Sequence, residues 1–171
     1  MKIKHKLLLD KYGWYYQHED SSICGLVACA NVLKFYNKEI KPKKYEKICK
    51  KYFYDDLGLY HQDLLYILND LNVVFNMGHF DIEYIKHSLD HGNPLMFDVL
   101  MLKVSKDLDL THMIFVTKYK ILNKKYYLFC TNIAEGGGSK WVKWSKLKKY
   151  SCKCGKKYFN KNFCIRLEGV L

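Results

Sequence analysis

The sequence predicts an α+β fold, in which a helical first half packs on an antiparallel sheet built from the second half. Three observations carry this. Between Cys24 and His91 the apolar residues recur at helical spacing. Beyond Gly92 the apolar runs have the length of strands, and a two-residue Asn123-Lys124 turn joins two of them as in a hairpin. Helices first, then neighbouring antiparallel strands, is the α+β pattern.

Each element follows from its residues. Ser21 and Ser22 are candidate caps for a helix from about Cys24 to Tyr36, whose inward stripe is Leu26, Val27, Ala30 and Leu33. Asn37 can end it in the left-handed conformation. Pro42 can open a second helix, where Tyr45, Ile48, Cys49 and Tyr52 share one face. A third covers about Tyr60 to Leu71, with Leu64, Leu65, Leu68 and Leu71 inward. Val73 to Met77 reads as a short strand. Asp81 is a candidate cap for a helix carrying Ile82, Ile85 and Leu89, and Gly92 stops it. Strands are then expected over Pro94–Met101, His112–Tyr119, Lys125–Thr131 and Asn162–Leu167, with a loop at Gly136, Gly137 and Gly138 followed by Trp141 and Trp144.

Length and composition set bounds. With 171 residues, about half of them apolar, residues 1–171 are expected to form one domain with a real core. The formal charge is +12, from 29 Lys and Arg against 17 Asp and Glu. Such a surface attracts polyanions. However, the densest clusters, Lys41–Lys51 and Lys140–Lys157, also carry regular apolar positions and read as solvated faces. Lys far outnumbers Arg, the usual reader of phosphates and base edges, and no nucleic-acid module signature occurs. Nucleic acid is therefore not the expected partner.

Only Leu7, Leu8 and Leu9 follow the basic start before Asp10, too short for a signal-peptide core, and no apolar run approaches a membrane span. A cytoplasmic protein with no membrane partner is expected. Seven cysteines, an odd number, are expected as thiols. Cys152, Cys154 and Cys164 lack the spacing and the fourth ligand of a zinc site, so we expect neither metal nor cofactor.

Four residues stand out chemically. Cys24, at a helix start, lies among unpaired backbone N–H groups and at the positive end of the dipole, both of which favour the nucleophilic thiolate. Gly25 beside it is expected to leave room for a substrate backbone. Cys29, one turn further in, fits a buried core thiol better. His112 begins an apolar strand after a polar loop, a position from which it can act as base. Asn132 ends the next strand of the hairpin, so it can sit beside His112 and orient the imidazole. Gln17, upstream, can pair its amide with the Cys24 backbone N–H as an oxyanion hole.

The order Gln, Cys, His, Asn resembles that of papain-like cysteine peptidases, and the chain looks closest to the bacteriocin-processing, double-glycine leader peptidases and their stand-alone relatives. In that family the nucleophile opens a run similar to Cys-Gly-Leu-Ala-Cys-Leu-Ala-Met-Val-Leu-x-Tyr-Tyr-Gly. Here the stretch is Cys24-Gly-Leu-Val-Ala-Cys-Ala-Asn-Val-Leu-Lys-Phe-Tyr36-Asn37. A Gly-x-Pro-apolar strand follows as Gly92-Asn93-Pro94-Leu95-Met96-Phe97, then His112-Met-Ile-Phe-Val-Thr-Lys-Tyr119, then Tyr127-Leu-Phe-Cys-Thr-Asn132. The resemblance covers roughly residues 14–150. Departures are a Gln-to-Cys spacing one residue longer, Ile23 where an acidic residue is common, and Asn132-Ile133 in place of Asp-Pro. No transporter region follows His112 and Asn132, so export coupled within one chain is not expected.

The resemblance implies a papain-like fold and a peptidase that acylates Cys24 and hydrolyses the thioester. It also implies a peptide or protein substrate cut after small residues. The charge would favour an acidic substrate or partner. Two rivals stay open at this point. One is the same thioester chemistry used for acyl transfer, transglutamination or deamidation. The other is a catalytically silent module that grips a peptide or an acidic partner. The oligomeric state is not encoded legibly.

Overall fold

The computed structural model describes residues 7–17, 23–52, 59–100, 111–133, 138–149 and 164–171. Ser21, Ser22, Met101, Gly136, Gly137, Cys152, Cys154 and the expected strand start at Asn162 lie outside these residues.

Two short strands, β1 (Leu8–Leu9) and β2 (Tyr15–Tyr16), form an antiparallel ribbon. Its turn is held by Asp10, whose Oδ1 accepts from the backbone N–H groups of Tyr12 and Trp14 at 2.9 Å each. Three helices follow: α1 (Cys24–Phe35), α2 (Pro42–Tyr52) and α3 (His61–Asp70). The left-handed Asn37, at φ 56°, ends the first as expected. Strand β3 (Val73–Met77) precedes α4 (Ile82–Asp90), which Asp81 caps by accepting from Tyr84 N–H at 2.8 Å. Gly92, at φ 75°, turns the chain out of that helix. Then come β4 (Leu95–Leu100), β5 (Thr111–Leu122) and β6 (Lys125–Thr131). Asn123 and Lys124 both have φ near +50°, the conformation of the two-residue turn that matches strand twist. Last are β7 (Lys140–Lys143), α5 (Trp144–Lys149) and β8 (Cys164–Val170).

Six strands form one antiparallel sheet in the order β3-β8-β4-β5-β6-β7. Side chains alternate across its central strands. Met96, Met113, Phe115, Ile165 and Leu167 face one core, shared with α1, α2 and α3. Leu95, Phe97, Val99, Ile114, Val116 and Cys164 face a second core. Ile85 of α4 and Trp144 and Leu147 of α5 close that second core. The helices thus cover both faces of the sheet. Helix α1 is buried from Gly25 to Leu33 and lies against β5. That contact brings its first turn to the start of β5. Among the described residues, no helix is long and apolar enough to cross a membrane.

Candidate active site

Cys24 is the first residue of α1. Ile23 precedes it as N-cap, fully buried, and anchors the helix start by packing and not by a side-chain hydrogen bond. The first intrahelical bond runs from Val27 N–H to Ile23 C=O at 2.9 Å. The N–H groups of the first turn therefore lack helical acceptors and aim their dipoles toward the Cys24 side chain. Cys24 is half-buried, whereas Cys29, Cys130 and Cys164 are buried completely. Burial pushes the thiols of those three up. They are core residues and unsuited to form thiolate.

His112 is the second residue of β5, opposite Val99 of β4, and only 8% exposed. Its Nε2–H donates to the backbone carbonyl oxygen of Asn132. A carbonyl can only accept, so the contact fixes the proton of the neutral ring on Nε2 and leaves Nδ1 as the basic nitrogen. The ring is also hydrogen-bonded to the Cys24 side chain. Burial by itself would lower the basicity of His112. The hydrogen bond and charge of Cys24, the Asn132 carbonyl and the charge of Asp98 outweigh it, and the pKa stands above the ordinary histidine value.

Asn132 follows β6 in the left-handed conformation, at φ 56°, and is buried. Its side chain is turned to Gln17. The amide oxygen accepts from Gln17 N–H at 3.0 Å, and the amide nitrogen reaches Gln17 Oε1 at 3.5 Å. All four residues singled out in the sequence are therefore connected: Cys24 to His112, His112 to Asn132, Asn132 to Gln17. The contact between His112 and Asn132 runs through the main chain and not through the amide.

Three further residues belong to this region. Asn31, two turns along α1 from Cys24, is fully buried. Its oxygen accepts from Tyr15 N–H at 2.8 Å, and its nitrogen donates to Tyr15 C=O at 2.9 Å and Thr131 Oγ1 at 3.1 Å. It thereby ties together the segments that carry Cys24, Gln17 and Asn132. Asp98 of β4 is 3% exposed and pairs with Nε2 of His61, the first residue of α3. The signal for Asn31 and Asp98 was present in the sequence as a lone polar residue in an apolar run. Gly25 differs from expectation. It is buried, and a Cβ there would stand 3.0 Å from Leu59 Cδ1 and 3.5 Å from Leu64 Cδ1. Its smallness makes room for the start of α3, not for a substrate backbone.

Among the described residues there is no group of three or more His, Cys, Asp or Glu suited to hold a metal. A cavity of about 460 Å³ lies away from the site, lined by Lys43, Lys44, Lys47, Ile48, Lys51 and Asp70. It belongs to the cationic face of α2.

No protein-family model and no curated protein sequence matches the chain. Solved structures do match. One is the peptidase domain of Streptococcus ComA, a bifunctional ABC transporter of a quorum-sensing pathway, with TM-score 0.61 and 14% identity over 96% of this chain and 98% of that one. The fold is that of the double-glycine leader peptidase domain. A second match, the double-glycine motif protease of an AMS/PCAT transporter, was solved with its leader peptide; TM-score is 0.56 and identity 11%, over 96% of this chain and 93% of that one. Within this papain-like α+β fold, the helix-borne cysteine and the strand-borne histidine meet where α1 abuts β5.

Proposed function

We propose that the chain is a cysteine peptidase that hydrolyses a peptide bond through a thioester on Cys24. The observation that carries this reading is the chain of contacts from Cys24 through His112 to the Asn132 carbonyl, at a helix N-terminus. His112 Nδ1 takes the thiol proton, and the sulfur attacks the substrate carbonyl carbon. The Cys24 backbone N–H and the Gln17 amide donate to the oxyanion that forms. As the tetrahedral intermediate collapses, the C–N bond breaks and the His112 imidazolium protonates the leaving amine. Water, deprotonated by His112, then attacks the thioester. The acid product leaves and the thiol regains its proton. Asn132 keeps the ring in the tautomer that this sequence requires.

Support for a peptide substrate comes from the fold shared with a protease seen holding a leader peptide. A substrate cut after small residues, Gly-Gly among them, fits the same likeness. The charge of +12 favours an acidic substrate or partner by steering. Free thiols at Cys24, Cys29, Cys49, Cys130 and Cys164 accord with work in a reducing compartment such as the cytoplasm.

The test is incubation of the full chain with peptides that contain an acidic leader ending in Gly-Gly, read by mass spectrometry. Cleavage that is lost in Cys24→Ala supports the reading. Release of ammonia, or transfer to an added amine, without any chain cleavage would assign the thioester chemistry to deamidation or acyl transfer instead.

A further inference from the structure

We propose that the open face of β5, β6 and β7 is a docking surface for an acidic segment of the substrate, outside the bond that is cut. The inference rests on the peptidase reading and names a property of the peptide that the site takes.

Cross-strand register builds this face. Lys118 of β5 stands opposite Phe129 of β6, and Phe129 stands opposite Trp141 of β7. In the next row Lys120 stands opposite Tyr127, and Tyr127 opposite Lys143. Residues opposite one another, or two apart along a strand, share a side of the sheet, so these six form one patch. Leu128 and Val142 turn the other way, into the core that α5 closes. Among the described residues, the core under α1, α2 and α3 takes in none from β6 or β7. Lys118, Lys120 and Trp141 are accordingly exposed. Tyr12, from the turn between β1 and β2, reaches the rim of the patch, with its ring edge-on to Phe129 at 5.4 Å.

The patch suits carboxylates. Among the described residues, 7–17, 111–133 and 138–143 hold a single carboxylate, Asp10, and it is engaged by the N–H groups of Tyr12 and Trp14 and by the Ser139 hydroxyl. On α2, by contrast, Lys50 lies 4.0 Å from Glu46 and Lys51 lies 3.1 Å from Asp70. Rings also hold the lysines of the patch in place. Lys120 Nζ stands 4.4 Å from the ring centre of Trp141, and Lys11 Nζ stands 5.2 Å from that of Tyr12. Ammonium groups placed in advance lose less freedom on binding. The same contacts argue against nucleic acid, whose bases stack on bare ring faces. A lysine already lies over the exposed rings of Trp141 and Tyr12, and Phe129 is buried. The patch also adjoins the site. Asn132 follows Phe129 along β6 at a strand distance of about 10 Å, and the ribbon that carries Tyr12 continues into Gln17. An acidic segment on the patch therefore lies a few residues along an extended substrate from the bond held at Cys24.

The experiment measures, by fluorescence anisotropy, the binding of two labelled peptides to the full chain carrying Cys24→Ala. In one peptide a run of glutamates precedes Gly-Gly; in the other, glutamines take their place. The glutamate peptide should bind about 10-fold more tightly at low salt, and the advantage should shrink as salt is added. Lys118→Glu with Lys120→Glu should abolish the advantage. Lys43→Glu with Lys47→Glu, the same change of charge on α2, should keep most of it. In the active chain the first pair should raise KM for the glutamate peptide by about 10-fold, with kcat little changed, and should leave the glutamine peptide as it was. If amide spectra show that either pair does not fold, the corresponding Lys→Gln pairs are compared, with the same order expected. Equal binding of the two peptides, or equal losses in the two pairs, overturns the inference. A binding advantage without the KM effect overturns it too, and assigns the face to an acidic partner other than the substrate. So does a single-stranded oligonucleotide of equal charge that binds more tightly than the glutamate peptide. The binding measurement needs no turnover, so it stands apart from the peptidase reading. That reading fails if Cys24→Ala still cleaves peptides.

Discussion

The His112 ring is held by the main chain of Asn132: Nε2–H donates to the carbonyl oxygen, while the Asn132 amide is occupied by Gln17. A side-chain substitution therefore spares the contact that fixes the tautomer. Asn132→Ala should retain a measurable activity, reduced by roughly 10-fold, far less than the 10² to 10⁴-fold attached to a general acid–base. Part of the reduction comes from placing alanine at φ 56°, which costs about 1 kcal/mol or more. Asn132→Gly removes that strain and should be no worse. Steady-state kcat on one peptide decides, and an Asn132→Ala enzyme as dead as His112→Ala would contradict the main-chain role.

His112 and Cys24 should act as a unit. His112→Ala is expected to lower kcat by on the order of 10² to 10⁴-fold, and the loss should match that of Cys24→Ala without adding to it in the double variant. Additive losses, measured in single-turnover assays, would mean that the two residues serve separate steps.

The pH profile follows from the raised basicity of His112. The imidazolium donates the proton to the leaving amine, so activity is lost when it deprotonates. A raised pKa moves that loss upward. The alkaline limb of kcat/KM should lie above the ordinary histidine value of about 6.5. An alkaline limb at or below the ordinary value would show that the hydrogen bonds and charge of Cys24, the Asn132 carbonyl and the charge of Asp98 do not outweigh burial.

Asn31 is expected to matter for both stability and rate. Its amide makes three hydrogen bonds that join α1 to Tyr15 and Thr131. Asn31→Leu leaves the part-buried Tyr15 main chain and the buried Thr131 hydroxyl without these partners, at a cost of about 1–3 kcal/mol in urea unfolding. It should also lower kcat more than it raises KM, since Gln17 and Asn132 lose their anchor to the nucleophile's helix. Unchanged unfolding and unchanged kcat would remove Asn31 from the account.

Much of this architecture was legible in the sequence because its signals are local. Asp81, Pro42, Asn37, Gly92 and the Asn123-Lys124 turn each do a job set by their own chemistry, and the elements they bound lie where expected. Strands β1 and β2 were not legible, because two residues each show no period. Strand β7 and helix α5 hide in a lysine-rich stretch where only Val142, Trp144 and Leu147 turn inward. The grouping of Cys24, His112, Asn132 and Gln17 was readable from their places at element ends. The contact through the Asn132 carbonyl was not, since no side chain encodes it. Nor was the approach of Asp98 and His61, which depends on the order of strands and on how α3 meets α1.

The central claim is that Cys24 is the thiol activated by His112. Its most direct test is to treat the native protein at neutral pH with an electrophilic peptide probe ending in Gly-Gly, then locate the adduct by mass spectrometry. The account predicts modification at Cys24 ahead of Cys29, Cys49, Cys130 and Cys164, because burial holds Cys29, Cys130, Cys164 and, in part, Cys49 in the thiol form. It also predicts that labelling of Cys24 slows sharply in His112→Ala. Faster modification of Cys29, Cys49 or Cys130 in the folded protein, or undiminished labelling of Cys24 without His112, would contradict it.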